Sequence, residues 1–287
     1  MEDSTSPLLL RRRLRTELLA ARLKKGLTQQ QVATAMDWSL SKMNRIEKAK
    51  SSISINDLKV LLPYYGITDE EHTDELVELA REARKPGWWR HYSDVASPEL
   101  LALIDHESAA SAVSQFETMF VPGILQTEEY ALAVLQVFYD EKSGPRKVAA
   151  LVELRTKRRD LLTSDNAPHF SFVLDESVIR RLMGSPAVTS QQLEHLVNVA
   201  NLPNVTIQIV PFTAGLHPGM EGPFEVVQFD DMPDENIAFV EGQGDTLITD
   251  DPHETKDFLK VFQRITEKSL APSDSVGLML EAAAAMA

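Results

Sequence analysis

The chain has no cysteine, so disulfides and thiolate metal ligands are excluded at once. That absence fits a reducing cytoplasm. No uninterrupted apolar run approaches the roughly 20 residues that a membrane helix requires. Met1–Leu10 sets Glu2 and Asp3 ahead of Leu8–Leu10, the wrong order for a signal peptide. The expected location is cytoplasmic, with no membrane partner. Histidine is sparse: His106-Glu107 lacks the second His of a helical zinc motif, and no His cluster has ligand spacing. Gly242-Gln243-Gly244 is a lone glycine pair and not a phosphate loop. Ser177 and His195 lie outside any nucleophile-elbow context, and Asp175-Glu176 reads as a helix start after a strand. No catalytic residue, metal or cofactor is expected, and no enzymatic activity.

What is present suits a soluble protein of two domains. The chain has 287 residues, 43% of them hydrophobic and 25% charged. The net charge of -14 argues against a nucleic-acid partner until its distribution is read. Arg11 to Lys59 holds 12 Lys/Arg against Glu17, Asp37, Glu47 and Asp57, a net +8; the remainder carries −22. A basic module is joined to an acidic body, and only the module has the footprint for phosphate. A solvated charged face has the same composition, so charge alone does not decide.

Residues 8–66 read as all-helical. Leu10, Leu14, Leu18 and Ala21 recur at helical spacing, and Gly26 follows Lys24 and Lys25 as a helix end. Residues 69–84 predict a charged amphipathic helix with Leu76, Leu79, Ala80 and Ala83 as its apolar stripe. Lys85-Pro86-Gly87 breaks the pattern and places a boundary there. Helices are expected over 98–118, 127–140 and 145–163, about 175–183 and 189–201, and about 253–269. Phe170–Leu174, Val205–Val210, Phe224–Phe229 and Ile237–Val240 read as strands. The expected organisation is a helix-turn-helix domain at 8–66, a linker helix at 67–87, an α+β domain with a small antiparallel sheet at 88–275, and a flexible tail at 276–287.

Thr28 is a good N-cap, and Gln31 three residues on completes a capping box. The helix it opens carries Val32, Ala33 and Met36 on one face. A tight turn at Asp37-Trp38 leads to Ser39, the cap of a second helix, Leu40–Glu47, with Met43 and Ile46 inward. Two short helices joined so tightly fit the DNA-reading geometry in which the second lies in the major groove. The outward side then shows Leu40, Ser41, Asn44, Arg45 and Lys48. Arg suits guanine O6/N7, Asn suits adenine N6/N7, and Leu40 suits a thymine methyl. Gln29 is placed to hold a phosphate, and Lys48 and Lys50 to grip the backbone. Thr28, Ser39 and Lys42 complete the expected DNA-facing set. The competing reading is a pair of packed helices kept for protein contact.

The stretch Gly26-Leu27-Thr28-Gln29-x-x-Val32-Ala33, with Ser39 and Arg45-Ile46-Glu47, resembles the phage-repressor-like, or Xre, regulators. The resemblance implies a lambda-repressor-like all-α head, with residues 40, 41, 44 and 45 facing bases and Gln29 meeting phosphate. Asp37 and Ala49 stand where that family usually has glycine. Further phrases resemble the WhiJ-like regulators of actinobacteria: Trp88-Trp89, Val121-Pro122-Gly123-Ile124-Leu125-Gln126-Thr127, Glu129-Tyr130-Ala131, Arg155-x-x-Arg158-Arg159, Leu174-Asp175-Glu176, Gln192-Leu193, Gly222-Pro223-Phe224 and Val240-Glu241-Gly242. That resemblance implies an antitoxin-like body and a small partner protein encoded nearby.

Two features of the body invite a ligand or partner. Arg155, Arg158 and Arg159 lie within little more than one helical turn and could receive a carboxylate or phosphate; acidic partners inside the body are the alternative. Trp88-Trp89 could clamp a ligand or anchor packing at the boundary. The expected function is a dimeric, sequence-specific regulator on double-stranded DNA with an inverted-repeat operator, controlled through its body by a small protein or ligand. The alternative is an antitoxin-like protein that sequesters a small partner and binds DNA for autoregulation.

Overall fold

A computed structural model of the chain describes residues 6–139, 144–230, 233–242 and 246–286. Glu2, Asp3, Gln243 and Gly244 of the sequence reading lie outside them. The chain divides into two compact units, Met1–Arg90 and His91–Ala287.

The first unit is built from five helices among the described residues: α1 (Pro7–Lys24), α2 (Gln29–Ala35), α3 (Leu40–Glu47), α4 (Ile55–Tyr65) and α5 (Glu70–Glu82). Each opens on a side-chain cap, from Ser6, Thr28, Ser39, Ser54 and Asp69 in turn. Such caps contribute about 1 kcal/mol each by satisfying orphan backbone N–H groups. The first four helices also end alike. The N–H of Leu27, Trp38, Lys50 and Ile67 returns to the carbonyl of Arg22, Ala33, Arg45 and Leu62. This Schellman closure requires a left-handed residue one position before the returning N–H. Gly26 and Gly66 fill that position in α1 and α4, and Asp37 (φ 54°) and Ala49 (φ 52°) fill it in α2 and α3. The two residues that stand in place of glycine therefore adopt the glycine conformation.

The core of this unit joins Leu14 and Leu18 of α1, Val32 and Ala33 of α2, Met43 and Ile46 of α3, and Leu58, Leu61 and Leu62 of α4. Leu76, Val77 and Ala80 of α5 belong to the same cluster. Residues 67–87 were expected as a linker helix; the apolar stripe of α5 instead closes the head's own core.

The second unit runs α6 (Pro98–Glu107), β1 (Ala112–Glu117), α7 (Glu128–Phe138), α8 (Pro145–Arg158), β2 (His169–Asp175), α9 (Glu176–Arg180), α10 (Pro186–Val199), β3 (Val205–Val210), β4 (Phe224–Gln228), β5 (Ile237–Glu241), β6 (Thr246–Thr249), α11 (Pro252–Thr266) and α12 (Pro272–Ala284). Its sheet has six strands in the order β3-β2-β1-β4-β5-β6. The α+β expectation holds, but the sheet is mixed and not antiparallel. β3, β2 and β1 pair in parallel, as the helical crossovers through α7–α8 and α9–α10 allow, and β1, β4, β5 and β6 pair antiparallel.

Two further expectations fail for identifiable reasons. The helix expected over 98–118 stops at Glu107, and its second half is β1, the strand at which the pairing changes sense. Ala-Val-Ser-Gln-Phe-Glu offers no apolar run, and only pairing on both sides makes it a strand. The tail expected to be flexible from 276 forms most of α12, which buries Met279, Ala282 and Ala283 against the core. Small residues there allow the helix to approach closely; low complexity did not mean disorder.

The sheet is covered on both faces. On one, Phe116, Val173, Val226 and Ala238 meet Phe262 and Ile265 of α11. On the other, Val113, Phe170, Phe172, Leu174, Ile207 and Ile209 meet Tyr130 of α7, Leu193 and Leu196 of α10, and Met279 of α12. That second face changes character along the sheet. Gln115, Glu117 and Glu225, all buried, follow the apolar half.

Candidate nucleic-acid interface

Helix α3 owes its position to a capping and packing scheme that is local in sequence. The Thr28 hydroxyl accepts from Gln31 N at 3.2 Å, and Gln31 Oε1 accepts from Thr28 N at 2.8 Å. The capping box is thus closed at both ends. The Ser39 hydroxyl accepts from Lys42 N at 3.1 Å and starts α3. Met43 and Ile46 are buried, which fixes the rotation of the helix and turns Leu40, Ser41, Arg45 and Lys48 outward, with Asn44 half-buried beside them. Leu40 is 46% exposed, large for an apolar side chain and open to a base methyl.

The far end of α3 is tied down by charge. Arg22 of α1 donates from Nε to Glu47 Oε1 at 2.5 Å and from Nη2 to Oε2 at 3.0 Å, while its Nη1 donates to the Leu27 carbonyl at 2.6 Å. Gln29 joins this network, with Nε2 2.6 Å from Glu47 Oε2. An amide nitrogen carries two hydrogens, so one remains for an outside acceptor. Lys42 turns toward α4: Nζ lies 2.9 Å from Asp57 Oδ2 and 4.2 Å from the centre of the Trp38 ring. Its charge is already matched. Arg12, Arg15 and Arg22 are buried, so the outward basic set is narrower than the +8 of the segment.

In the second cluster Arg155 and Arg158 stay neighbours, both bordering Gly123, where an added Cβ would lie 3.4 Å from Arg158 Nη1 and 3.9 Å from Arg155 Nε. Arg158 is buried and grips Glu107 through two contacts of 2.6 Å. Arg155 Nη1 donates to Gln126 Oε1 at 3.0 Å, and burial together with the Arg158 charge pushes its pKa down to about 10. The His195 imidazole pKa is lowered by burial and then by the charge of Arg159. The internal-acid reading describes Arg158, and Glu107 is the partner that sequence reasoning did not supply. Trp88 and Trp89 stand edge to face with ring centres 5.8 Å apart. Trp89 is buried, and a Cβ on Gly87 would come within 2.4 Å of its ring, so Gly87 is there to admit it.

Elsewhere, Asp175 caps α9 by accepting from Ser177 N at 2.9 Å, and Ser177 Oγ donates to the Thr118 carbonyl at 2.6 Å. Among the described residues no group of three or more His, Asp or Glu could hold a metal ion, and no helix is long and apolar enough to cross a membrane. Sequence reasoning also missed the carboxylates on the polar half of the sheet. Their signal was a single glutamate inside the apolar strand Phe224-Glu225-Val226-Val227.

Residues 100–281, from α6 into α12, match the model of a domain of unknown function, DUF5753, over more than half of the chain. The chain belongs to the DUF5753 family. Ahead of the DUF5753 domain, residues 10–76 match a helix-turn-helix domain. That match reaches into α5, in accord with the place of α5 in the head's core. No curated protein and no solved structure matches the chain. The chain therefore joins a helix-turn-helix head, the module of DNA-binding regulators, to a DUF5753 body.

Proposed function

We propose that this protein is a sequence-specific, dimeric transcriptional regulator of the Xre, actinobacterial WhiJ-like type, controlled through its DUF5753 body by a small ligand or protein. The observation that carries the reading is the division of α3: Met43 and Ile46 are buried, while Leu40, Ser41, Arg45 and Lys48 share the exposed side. An Arg with an Asn one position before it on that surface matches the donor and acceptor pattern of base edges in the major groove. Gln29, through its second amide hydrogen, and Lys48 are assigned to phosphate. Thr28 and Ser39 shape the helix ends that approach the backbone, and Lys42 steadies α3 through Asp57. Trp88 and Trp89 are assigned to packing.

Two heads on a dimer would read half-sites one helical turn, about 34 Å, apart. Selection of bound duplexes from a random pool by the full chain tests this. An inverted repeat with that spacing supports the reading, and a single unrepeated site bound by a monomer contradicts dimerism. The antitoxin-like alternative uses the same head and differs in what the body holds. A stoichiometric complex with a small partner that restores growth would favour it.

A further inference from the structure

The polar half of the sheet encloses a cavity of about 180 Å³ in the DUF5753 body. It lies beside the carboxyl end of β1, where pairing changes from parallel to antiparallel. Its floor is built by register. Gln115 of β1 stands directly opposite Glu225 of β4, and Glu225 directly opposite Phe239 of β5, so the three side chains share one face. Glu117, two residues on, shares it too, and Gln115 Nε2 donates to Glu117 Oε1 at 3.0 Å. Leu100 and Leu103 of α6 and Arg155 of α8 line the walls, and Glu241 stands at the exposed rim.

The polar groups of this cavity are incompletely satisfied. Glu225 is 3% exposed; its carboxyl lies against that of Glu107, and no N–H donor of the protein hydrogen-bonds either of its oxygens. Its nearest cation, Arg158, is 3.9 Å away and already held by Glu107 at 2.6 Å. Gln115 Oε1 is likewise buried without a partner. Buried carboxylates and amide oxygens left in this state cost free energy, and a donor from outside relieves it. Three acceptor side chains thus converge on a space that one arginine, Arg155, borders.

We propose that this cavity is a binding site for a small organic cation, an ammonium or guanidinium, whose N–H groups donate to Glu225, Glu117 and Gln115 while its apolar stem lies against Leu100, Leu103 and Phe239. The volume falls below the roughly 300–1,000 Å³ of sites for drug-sized ligands, which sets the size class. A planar guanidinium suits paired carboxylates best because it donates in parallel. Burial, and then the charge of Glu107, raises the Glu225 pKa well above the ordinary carboxylate range; burial and Glu241 raise that of Glu117 to about 8. An arriving cation favours the ionised forms, so binding releases protons to solvent. As a regulatory site the cavity rests on the regulator reading; as a binding site it does not.

The probes are n-butylguanidinium and n-butylammonium, with n-butylurea as the neutral isostere, titrated calorimetrically into the full chain without DNA. The expected result is saturable binding of the guanidinium at least about tenfold tighter than the urea, with an apparent enthalpy that depends on the buffer's ionisation enthalpy. Glu225→Gln and Glu117→Gln should each weaken it about tenfold or more. Leu100→Trp, which fills the cavity and leaves the carboxylates in place, should abolish it, and serves if a glutamate variant does not fold. Equal binding of urea and guanidinium, no saturable binding of either cation, or binding unchanged by Leu100→Trp overturns the proposal. Cation binding in a chain that selects no DNA sequence overturns only the regulator reading.

Discussion

The Arg22 guanidinium and the Glu47 carboxylate form a two-point pair between α1 and the last residue of α3, with both side chains buried. The pair fixes the C-terminal end of the helix assigned to the major groove. Glu47→Ala leaves Arg22 as an uncompensated buried charge and should destabilise the head by about 3–5 kcal/mol. It also releases Gln29. Urea unfolding followed through the head's helices checks this, and a loss below about 1 kcal/mol, the range of an exposed pair, would show that the pair is solvated.

Asp37 holds a left-handed conformation at φ 54° in the turn between α2 and α3, and its side chain is exposed. Asp37→Gly removes the cost of that conformation and loses no buried contact. The head should gain about 0.5–1 kcal/mol. The measurement is the thermal midpoint. A loss of stability would mean that the Asp side chain stabilises the turn by more than its backbone strains it.

Glu117 is pushed up to about 8 from an ordinary 4.5, by burial first and the Glu241 charge second. Glu225, Glu241, Glu99, Arg155 and Tyr130 face or border it from β4, β5, α6, α8 and α7. A carboxyl whose pKa is raised by folding contributes stability that is full below about 4.5 and is lost as pH rises toward 8. Glu117→Gln stays neutral throughout. Relative to the wild type, the variant should gain stability steadily between those values, by several kcal/mol in all, and then level off. Urea midpoints of the two proteins across that range decide it; a constant difference would place the Glu117 carboxyl in water.

Arg158 holds Glu107 in two-point contact, and Glu107 is fully buried. Arg158→Ala should cost the body about 3–5 kcal/mol, because it strands Glu107 beside Glu225. A second change, Glu107→Gln, removes the stranded charge and should recover part of the loss. A double-mutant cycle that shows no coupling would contradict the pairing.

The parts legible in the sequence are those whose causes are local. Thr28 with Gln31, Ser39 and the inward Met43 and Ile46 are specified within one helix each, and the structure places them where the spacing predicts. Gln29 and Lys42 were legible as residues near the recognition surface but not as partners of Glu47 and Asp57, which lie 18 and 15 positions away. β1 was hidden because its polar residues are buried by neighbours that arrive more than 50 positions later. The tail was hidden because its alanines gain their meaning only against α10 and β3. The cavity's floor had one visible trace, Glu225 in an otherwise apolar strand, and the register that brings Gln115 opposite it is tertiary.

The exposed Arg45 of α3 is the residue assigned to reading a base pair. The decisive measurement is binding of the full chain and of Arg45→Ala to the selected operator and to its single-base-pair variants, at one salt concentration. Arg45→Ala should lose about 1–3 kcal/mol on the operator and become indifferent at one base pair while keeping its preference at the others. Equal loss on every sequence would make Arg45 a phosphate contact, and unchanged binding to the operator would contradict the assignment of α3 as the helix that reads DNA.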